Sequence, residues 1–520
     1  VPEPARARAP GGTAAASRRR LGLLELLVFT VGAATLGTEI AAARLMAPFF
    51  GDSTIIWANT IAVVLVALSV GYWFGGRMAD RRPNLRALCA LVLAAAVLLG
   101  VVPVVAHPFL TLSVDAFATY SVGAFVGSLL GVLALVAVPV LMLGAVSPWA
   151  IRLKLRTVED SGTVAGRMYA ISTVGSLVGT FAAALALIPL IGTRRTFLAF
   201  ALALAVVAAC GLPRRALAVP AAVALAIALS PGTIKAAAGA RVLAEAETPY
   251  QYARVVQEPG GERVLELNEG QAVHSVWRPH AWLTGQYWDA FLVDPVAALG
   301  RAPARVAILG AGAGTTARAY QHFFPATRVD AVEIDGELLK MGERWFDLRP
   351  SPRLRLYTQD ARPFLRRAGP RYDAILVDAY RQPYIPFYLT TREFFAEVRA
   401  RLTRGGVVAV NVGHPAGSDA LERVLTATMR TDFPYVARDP VADVNTILLG
   451  SRAPVDPSRL RRAAGALPGA LDPVAVTAAS RLAGGLRGGT VYTDDRAPVE
   501  WLVDESIVAY ASGHRGPGGG

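Results

Sequence analysis

Cysteine is almost missing from this 520-residue chain: Cys89 and Cys210 are the only two, and both sit inside apolar runs. That excludes a disulfide scaffold and a cysteine-type zinc site. The six histidines are scattered, with no His-x-x-x-His spacing, so no metal centre is expected. Lysine and arginine are absent from the stretches 47–53 and 107–120. Elsewhere the chain is basic, with a net charge of +13. That balance does not point to nucleic acid, because the basic residues cluster where membrane topology would place them. Arg6, Arg8, Arg18, Arg19 and Arg20 precede the first apolar run, and Arg77, Arg81, Arg82 and Arg86 follow the second. Arginine far outnumbers lysine, which we read as composition bias.

What is abundant is hydrophobicity, at 53% of residues, and it is concentrated in the first 230. A helix rises about 1.5 Å per residue, so about 20 apolar residues cross a bilayer core. Runs of that kind occur at about 21–45, 54–76, 85–108, 121–147, 166–192, 195–211 and 215–231, the last two short. The expectation is a multi-pass α-helical membrane domain of about seven helices over 21–231, preceded by a disordered basic tail over 1–20. The basic connections alternate so as to put the N-terminus in the cytoplasm. Seven spans would put the C-terminal part outside, and six or eight would keep it inside. Arg194 and Arg195 fall on the wrong side of the seven-span scheme, so the side is open. Glu39 in the first run is expected to pair with Arg44 or Arg77 near the interface, with a transport role as the alternative. Gly71, Gly75, Gly76, Gly175 and Gly179 suit close helix contacts.

After Pro231 the apolar runs stop. Residues 232–247 read as a linker, 248–300 as a β-rich part opening with a hairpin over Tyr250–Glu266, and 513–520 as a disordered tail. Over 301–512 strand, turn and helix repeat, the mark of a parallel doubly wound sheet. Strands are expected at Arg305–Leu309, Arg328–Val332, Leu354–Tyr357, Ala374–Val377 and Val407–Asn411. Ligands in such sheets lie beyond the carboxyl ends of the strands. There Gly310, Gly312 and Gly314 would let backbone approach a ligand, and Glu333, Asp360 and Asp378 end three successive strands. Glu333 is placed to accept hydrogen bonds from ribose hydroxyls. A nucleoside-binding α/β domain follows.

Thr248-Pro-Tyr-Gln251, Asn268-Glu-Gly-Gln271, Gly310-Ala-Gly-Ala-Gly314, Val332-Glu-Ile-Asp335, Gln359-Asp-Ala361, Val377-Asp-Ala379 and Thr391-Arg-Glu-Phe-Phe395 stand in the order seen in spermidine synthases. Over about 245–415 the chain resembles that family, which implies an α/β Rossmann-like domain of the S-adenosylmethionine-dependent transferase type. With Thr493–Glu500 near its end, it looks like the membrane-fused bacterial branch. The resemblance implies transfer of an aminopropyl group from decarboxylated S-adenosylmethionine, as co-substrate, to an amine or polyamine, releasing methylthioadenosine. It implies Asp378 as proton acceptor and Tyr287 on the amine channel. Gln251, Glu333, Asp360 and Ala361 match nucleoside-binding positions beside the three glycines. No metal and no nucleic acid are implied; a lipid bilayer and a homodimer are.

Three departures concern the acceptor. The glycine loop has Ala313 where the family usually has a polyamine-binding Asp. Trp288 follows the channel tyrosine in place of His or Gln, and Arg381 replaces the second acid of Asp-x-x-Asp. Either the acceptor differs from putrescine, or acids such as Glu269 and Asp289 hold it. Two alternatives stay open: an S-adenosylmethionine-dependent methyltransferase, and a membrane transporter or sensor whose Rossmann-like domain binds nucleoside or polyamine without turnover. The aromatic run Tyr380, Tyr384, Phe387 and Tyr388 is expected either to stack on a ligand or to pack over the sheet.

Overall fold

The computed structural model describes residues 11–50, 54–81, 83–120, 124–155, 157–229, 239–268, 272–367, 369–380 and 384–511. The chain divides into two compact units, one within residues 1–235 and the other essentially 236–520.

The first unit is all helix: α1 (Gly11–Phe50), α2 (Thr54–Arg81), α3 (Leu85–Tyr120), α4 (Ala124–Leu135), α5 (Ala137–Gly144), α6 (Val146–Lys154), α7 (Ser161–Ala182), α8 (Ile188–Ala209) and α9 (Ala218–Leu229). Among the described residues five segments are long and apolar enough to cross a membrane: Gly22–Met46, Ile56–Arg81, Leu85–Ala106, Ala137–Lys154 and Ser161–Ala209. The 49-residue segment Ser161–Ala209 joins two expected runs. It turns at Gly192, whose φ of 83° and ψ of 164° are not helical. Within the final run lies the 12-residue α9. Helix α1 also begins at Gly11, inside the stretch expected to be a tail.

Glycine sets how closely these helices approach. A Cβ on Gly175 or Gly179 would lie 2.1 Å from the Phe29 carbonyl oxygen or 2.0 Å from that of Ala33, so α1 and α7 touch backbone to backbone. Gly71 and Gly75 meet Leu141 and Ala145 in the same way, whereas Gly76 has open space and makes no such contact. The Arg77 guanidinium lies 3.6 Å from the Trp73 ring centroid. Glu25 pairs with Lys154 and Arg167, and Asp80 with Arg152.

The second unit opens with a four-stranded antiparallel sheet in sequential order: β1 (Arg241–Glu247), β2 (Tyr252–Gln257), β3 (Arg263–Leu267) and β4 (Val273–Trp277). Strand β1 therefore occupies half of the expected linker. Alanine and glutamate have low β-propensity, and cross-strand pairing with β2 overrides it.

The main sheet has eight strands in the order β12-β10-β11-β9-β8-β5-β6-β7. They are β5 (Arg305–Leu309), β6 (Arg328–Glu333), β7 (Leu354–Thr358), β8 (Tyr372–Val377), β9 (Leu402–Gly413), β10 (Tyr435–Ala442), β11 (Asn445–Ser451) and β12 (Ala483–Gly484). From β9 through β8, β5 and β6 to β7 all pairs are parallel. The next two pairs, β9–β11 and β11–β10, are antiparallel. The order reverses between β5 and β8, and the crevice beyond that point is where such a sheet holds its ligand.

Alternation in the strands feeds two faces. Val306 and Ile308 of β5 join one apolar layer with α10 (Ala290–Leu299), and Ala307 and Leu309 join the opposite one. Phe291, Tyr320, Phe394 and Phe395 are fully buried in these layers. Truncating such a phenylalanine costs about 3–5 kcal/mol. The small sheet packs through Ala253, Val255 and Leu265 on Leu338 and Met341.

Candidate active site

Backbone contact at the reversal point builds the centre of the site. Gly310 has φ 88°, and a Cβ there would lie 2.4 Å from the Asp378 carbonyl oxygen. Only glycine lets the loops after β5 and β8 meet this closely. The Asp378 N–H donates to the Leu309 carbonyl at 2.8 Å, which seats the carboxylate beside the glycine loop.

Asp378 accepts from three side chains. Asn411 Nδ2 lies 2.9 Å from Oδ1, Trp288 Nε1 3.1 Å from Oδ2, and the Tyr287 hydroxyl 3.2 and 3.1 Å from the two oxygens. Burial pushes its carboxyl up to about 6, against the pull of the Asn411, Tyr287 and Trp288 hydrogen bonds. Burial, followed by the nearby Asp378 charge, raises the Tyr287 hydroxyl well above its ordinary value. The carboxylate is therefore held in a fixed orientation and ionised near neutrality, with a proton affinity above that of a free aspartate. That suits a proton acceptor.

Glu333 ends β6. Its Oε2 accepts the Gly312 N–H at 2.9 Å and its Oε1 that of Asp335 at 3.1 Å. Burial raises its carboxyl to about 7, partly offset by those backbone bonds. Each oxygen keeps a lone pair for a further donor. Asp335 in turn accepts from the Thr248 hydroxyl at 2.6 Å and from Gln251 Nε2 at 3.3 Å, which docks the turn before β2 onto this edge.

Asp360 accepts the Arg362 N–H at 2.9 Å and the Tyr388 hydroxyl at 2.8 Å. Arg362 is clamped by Asp494 at 2.8 and 2.9 Å and by Glu397 at 2.8 Å. The Thr391 hydroxyl also donates to Asp494, at 2.7 Å. The Thr493–Glu500 segment thus acts from behind Asp360.

Two cavities meet here. The smaller, about 200 Å³, is lined by Gln251, Gly310, Gly312, Glu333, Asp360, Ala361, Asp378 and Tyr388, among others. The larger, about 870 Å³, shares His274, Tyr287 and Tyr380 with it and runs past Asn411, His414 and Asn445 to Arg481. The structure thus gathers eight of the nine site residues expected from sequence around the smaller cavity, with Tyr287, hydrogen-bonded to Asp378, shared by both. Gly314 lies outside either lining and begins the helix Thr315–Phe323 in the left-handed conformation.

The acceptor side differs from expectation. Ala313 faces neither cavity; it is buried in an apolar cluster with Leu338 and Phe346. Trp288 does not block the channel but supplies an N–H to Asp378. Asp289 is occupied: it accepts the Thr284 N–H at 2.9 Å, the Thr284 hydroxyl at 3.0 Å and the Gly285 N–H at 2.7 Å. Glu269 and Arg381 lie outside the described residues. Of the aromatic run, Tyr380 and Tyr388 line the smaller cavity, Tyr384 is buried and Phe387 is half exposed. Sequence reasoning missed Asn411 and His274 as site residues. Asn411 had a signal, since it ends the strand beside β8 and so falls on the ligand side of the sheet.

Residues 291–450 match the family model described as spermine/spermidine synthase domain. The chain is similar to a "Probable polyamine aminopropyl transferase" of Bifidobacterium longum, 34% identical over 190 residues, which cover 36% of this chain and 42% of that protein. It is similar to the polyamine aminopropyltransferase of Vibrio vulnificus, 34% identical over 180 residues, 34% of this chain and 59% of the other. The chain thus spans about half the length of these curated relatives. The crystal structure of a probable spermidine synthase from Corynebacterium glutamicum covers 50% of this chain and 100% of its own at 22% identity, with a TM-score of 0.39.

Proposed function

We propose, from the premise that residues 291–450 belong to the spermine/spermidine synthase family, that this chain is an aminopropyltransferase carried on a membrane-embedded helical unit. The observation that carries the reading is the buried carboxylate of Asp378, oriented by three donors where the two cavities meet.

Decarboxylated S-adenosylmethionine would take the smaller cavity, with ribose hydroxyls donating to Glu333 and the adenine beside Asp360 and Ala361. The amine would enter by the larger. Its nitrogen lone pair forms a bond to the propyl carbon attached to sulfur while the carbon–sulfur bond breaks. Methylthioadenosine leaves with the electron pair and the sulfonium charge is neutralised. The proton shed by nitrogen goes to Asp378. The sulfonium is already a good leaving group, so the protein's contribution is to hold the two reactants in line and remove that proton.

Support for a bilayer comes from the helical unit's own surface. Val104, Leu185 and Leu190 are 70%, 72% and 79% exposed, a pattern that suits lipid rather than water. A homodimer through the second unit belongs to the same reading on family resemblance alone, and native mass spectrometry in detergent reads it.

The test is detergent-purified protein given decarboxylated or intact S-adenosylmethionine with an amine panel, followed by mass spectrometry. Methylthioadenosine that depends on an amine and is lost in Asp378→Asn is the expected result. S-adenosylhomocysteine in its place would move the reading to methyl transfer. Nucleoside binding with neither product would leave a sensor or transporter.

A further inference from the structure

The wall of the larger cavity carries little to hold a second positive charge. Apart from imidazoles, the charged side chains on its described wall are Asp289 and Arg481. Both oxygens of Asp289 are already bonded to the Thr284–Gly285 turn. Arg481 is itself cationic. Its Nε and Nη2 donate to the fully buried Asp439 at 2.6 and 2.7 Å, so that carboxylate is committed as well. The rest of the far wall is mostly apolar, Val441, Ala442, Val444, Pro473 and Val474, with the uncharged polar side chains of Asn445 and Thr477 beside them. Groups that could serve one nitrogen are instead collected at the junction. Asp378 stands there, and the buried His274 Nε2, on a residue lining both cavities, has no bonding partner. Burial holds that imidazole down to about 4, so it stays neutral.

Resting on the aminopropyl-transfer reading, we infer that the acceptor is a primary monoamine with an uncharged body and not a diamine. One amino group meets Asp378 and His274. A second ammonium at the far end would lose its water against a mostly apolar wall and face the Arg481 guanidinium, with the Asp289 and Asp439 carboxylates already committed to other partners.

The test compares two acceptors of equal length, n-pentylamine and 1,4-diaminobutane, with decarboxylated donor and detergent-purified full chain, scoring methylthioadenosine and the alkylated amine. The expected kcat/KM for n-pentylamine exceeds that for the diamine by about tenfold or more. A second arm uses Val444→Asp, an exposed turn position that adds a carboxylate to the far wall. It should raise the diamine-to-monoamine ratio by about tenfold. Equal or greater turnover of 1,4-diaminobutane by the native chain overturns the inference and leaves aminopropyl transfer standing, as does a ratio unmoved by Val444→Asp. Product from neither amine class removes the transfer reading and this inference with it.

Discussion

The two cavities that meet at Asp378 are built from opposite materials. The smaller is lined by three carboxylates, each held by backbone or side-chain donors at a strand end. The larger is four times the volume, mostly apolar on its far wall, and its acids are consumed by the protein itself. One side is shaped to read a ligand rich in donors such as a nucleoside. The other encloses a body without charge. The difference follows from topology: the smaller cavity lies over the carboxyl ends of the parallel strands, where exposed turns can carry acids without breaking the core. The larger lies over the antiparallel end of the sheet, where β10, β11 and Asp472–Arg481 supply packing residues.

That contrast can be broken at several points. Asp378→Asn sits at the junction and should lower kcat by about 1,000-fold, the scale of a lost general base, while calorimetry finds methylthioadenosine binding within a few-fold of the native value. Equal loss of binding would show that Asp378 belongs to the nucleoside side. Glu333→Gln strikes the smaller cavity alone and should weaken methylthioadenosine binding by about 10- to 100-fold with the amine KM unmoved, since hydrogen bonds to a charged partner are worth about 1.5–3 kcal/mol. A matching rise in amine KM would mean that the two cavities do not act separately.

Acidity sharpens the same division. Transfer needs ionised Asp378, whose carboxyl is pushed up to about 6. The rate at saturating nucleoside should therefore fall about tenfold per pH unit below about 6. A profile flat down to pH 5 would exclude Asp378 as the proton acceptor.

The smallest effect is on stability. Glu333 binds its proton more tightly folded, with a value of about 7, than unfolded, with 4.5. Its contribution is therefore largest below about pH 4.5 and is lost as pH rises through about 7, by about 3 kcal/mol in full. Asp378 acts in the same direction over a lower window. The melting temperature of the ligand-free protein should fall by several degrees from pH 5 to 8. Glu333→Gln should flatten that slope, and an unchanged slope would place the pH sensitivity elsewhere.

Much of the smaller cavity was legible from residue order alone. A strand that ends in an acid before a helix places that acid on the ligand side whatever the rest of the fold does, and Glu333, Asp360 and Asp378 all obey. The larger cavity was not legible in this way. The burial of Ala313 was not legible, because a residue in the glycine loop can point to the core as readily as to the crevice. Reading Asp289 as a free acid failed because its partners, Thr284 and Gly285, cap it within its own turn. In the helical unit the apolar runs were plain, but one long run and one short one depended on Gly192 and on where α9 stops.

By itself, the sequence determined the division into an apolar helical half and an α/β half, and the set of strand-end residues around the smaller cavity. These follow from periodicity and composition, which act locally. Tertiary structure alone decided which donors orient Asp378, which acids remain uncommitted and what lines the larger cavity. Asn411, Trp288, His274 and Arg481 come from strands and helices far apart in the chain, and only packing of the folded sheet brings them to one carboxylate and one wall.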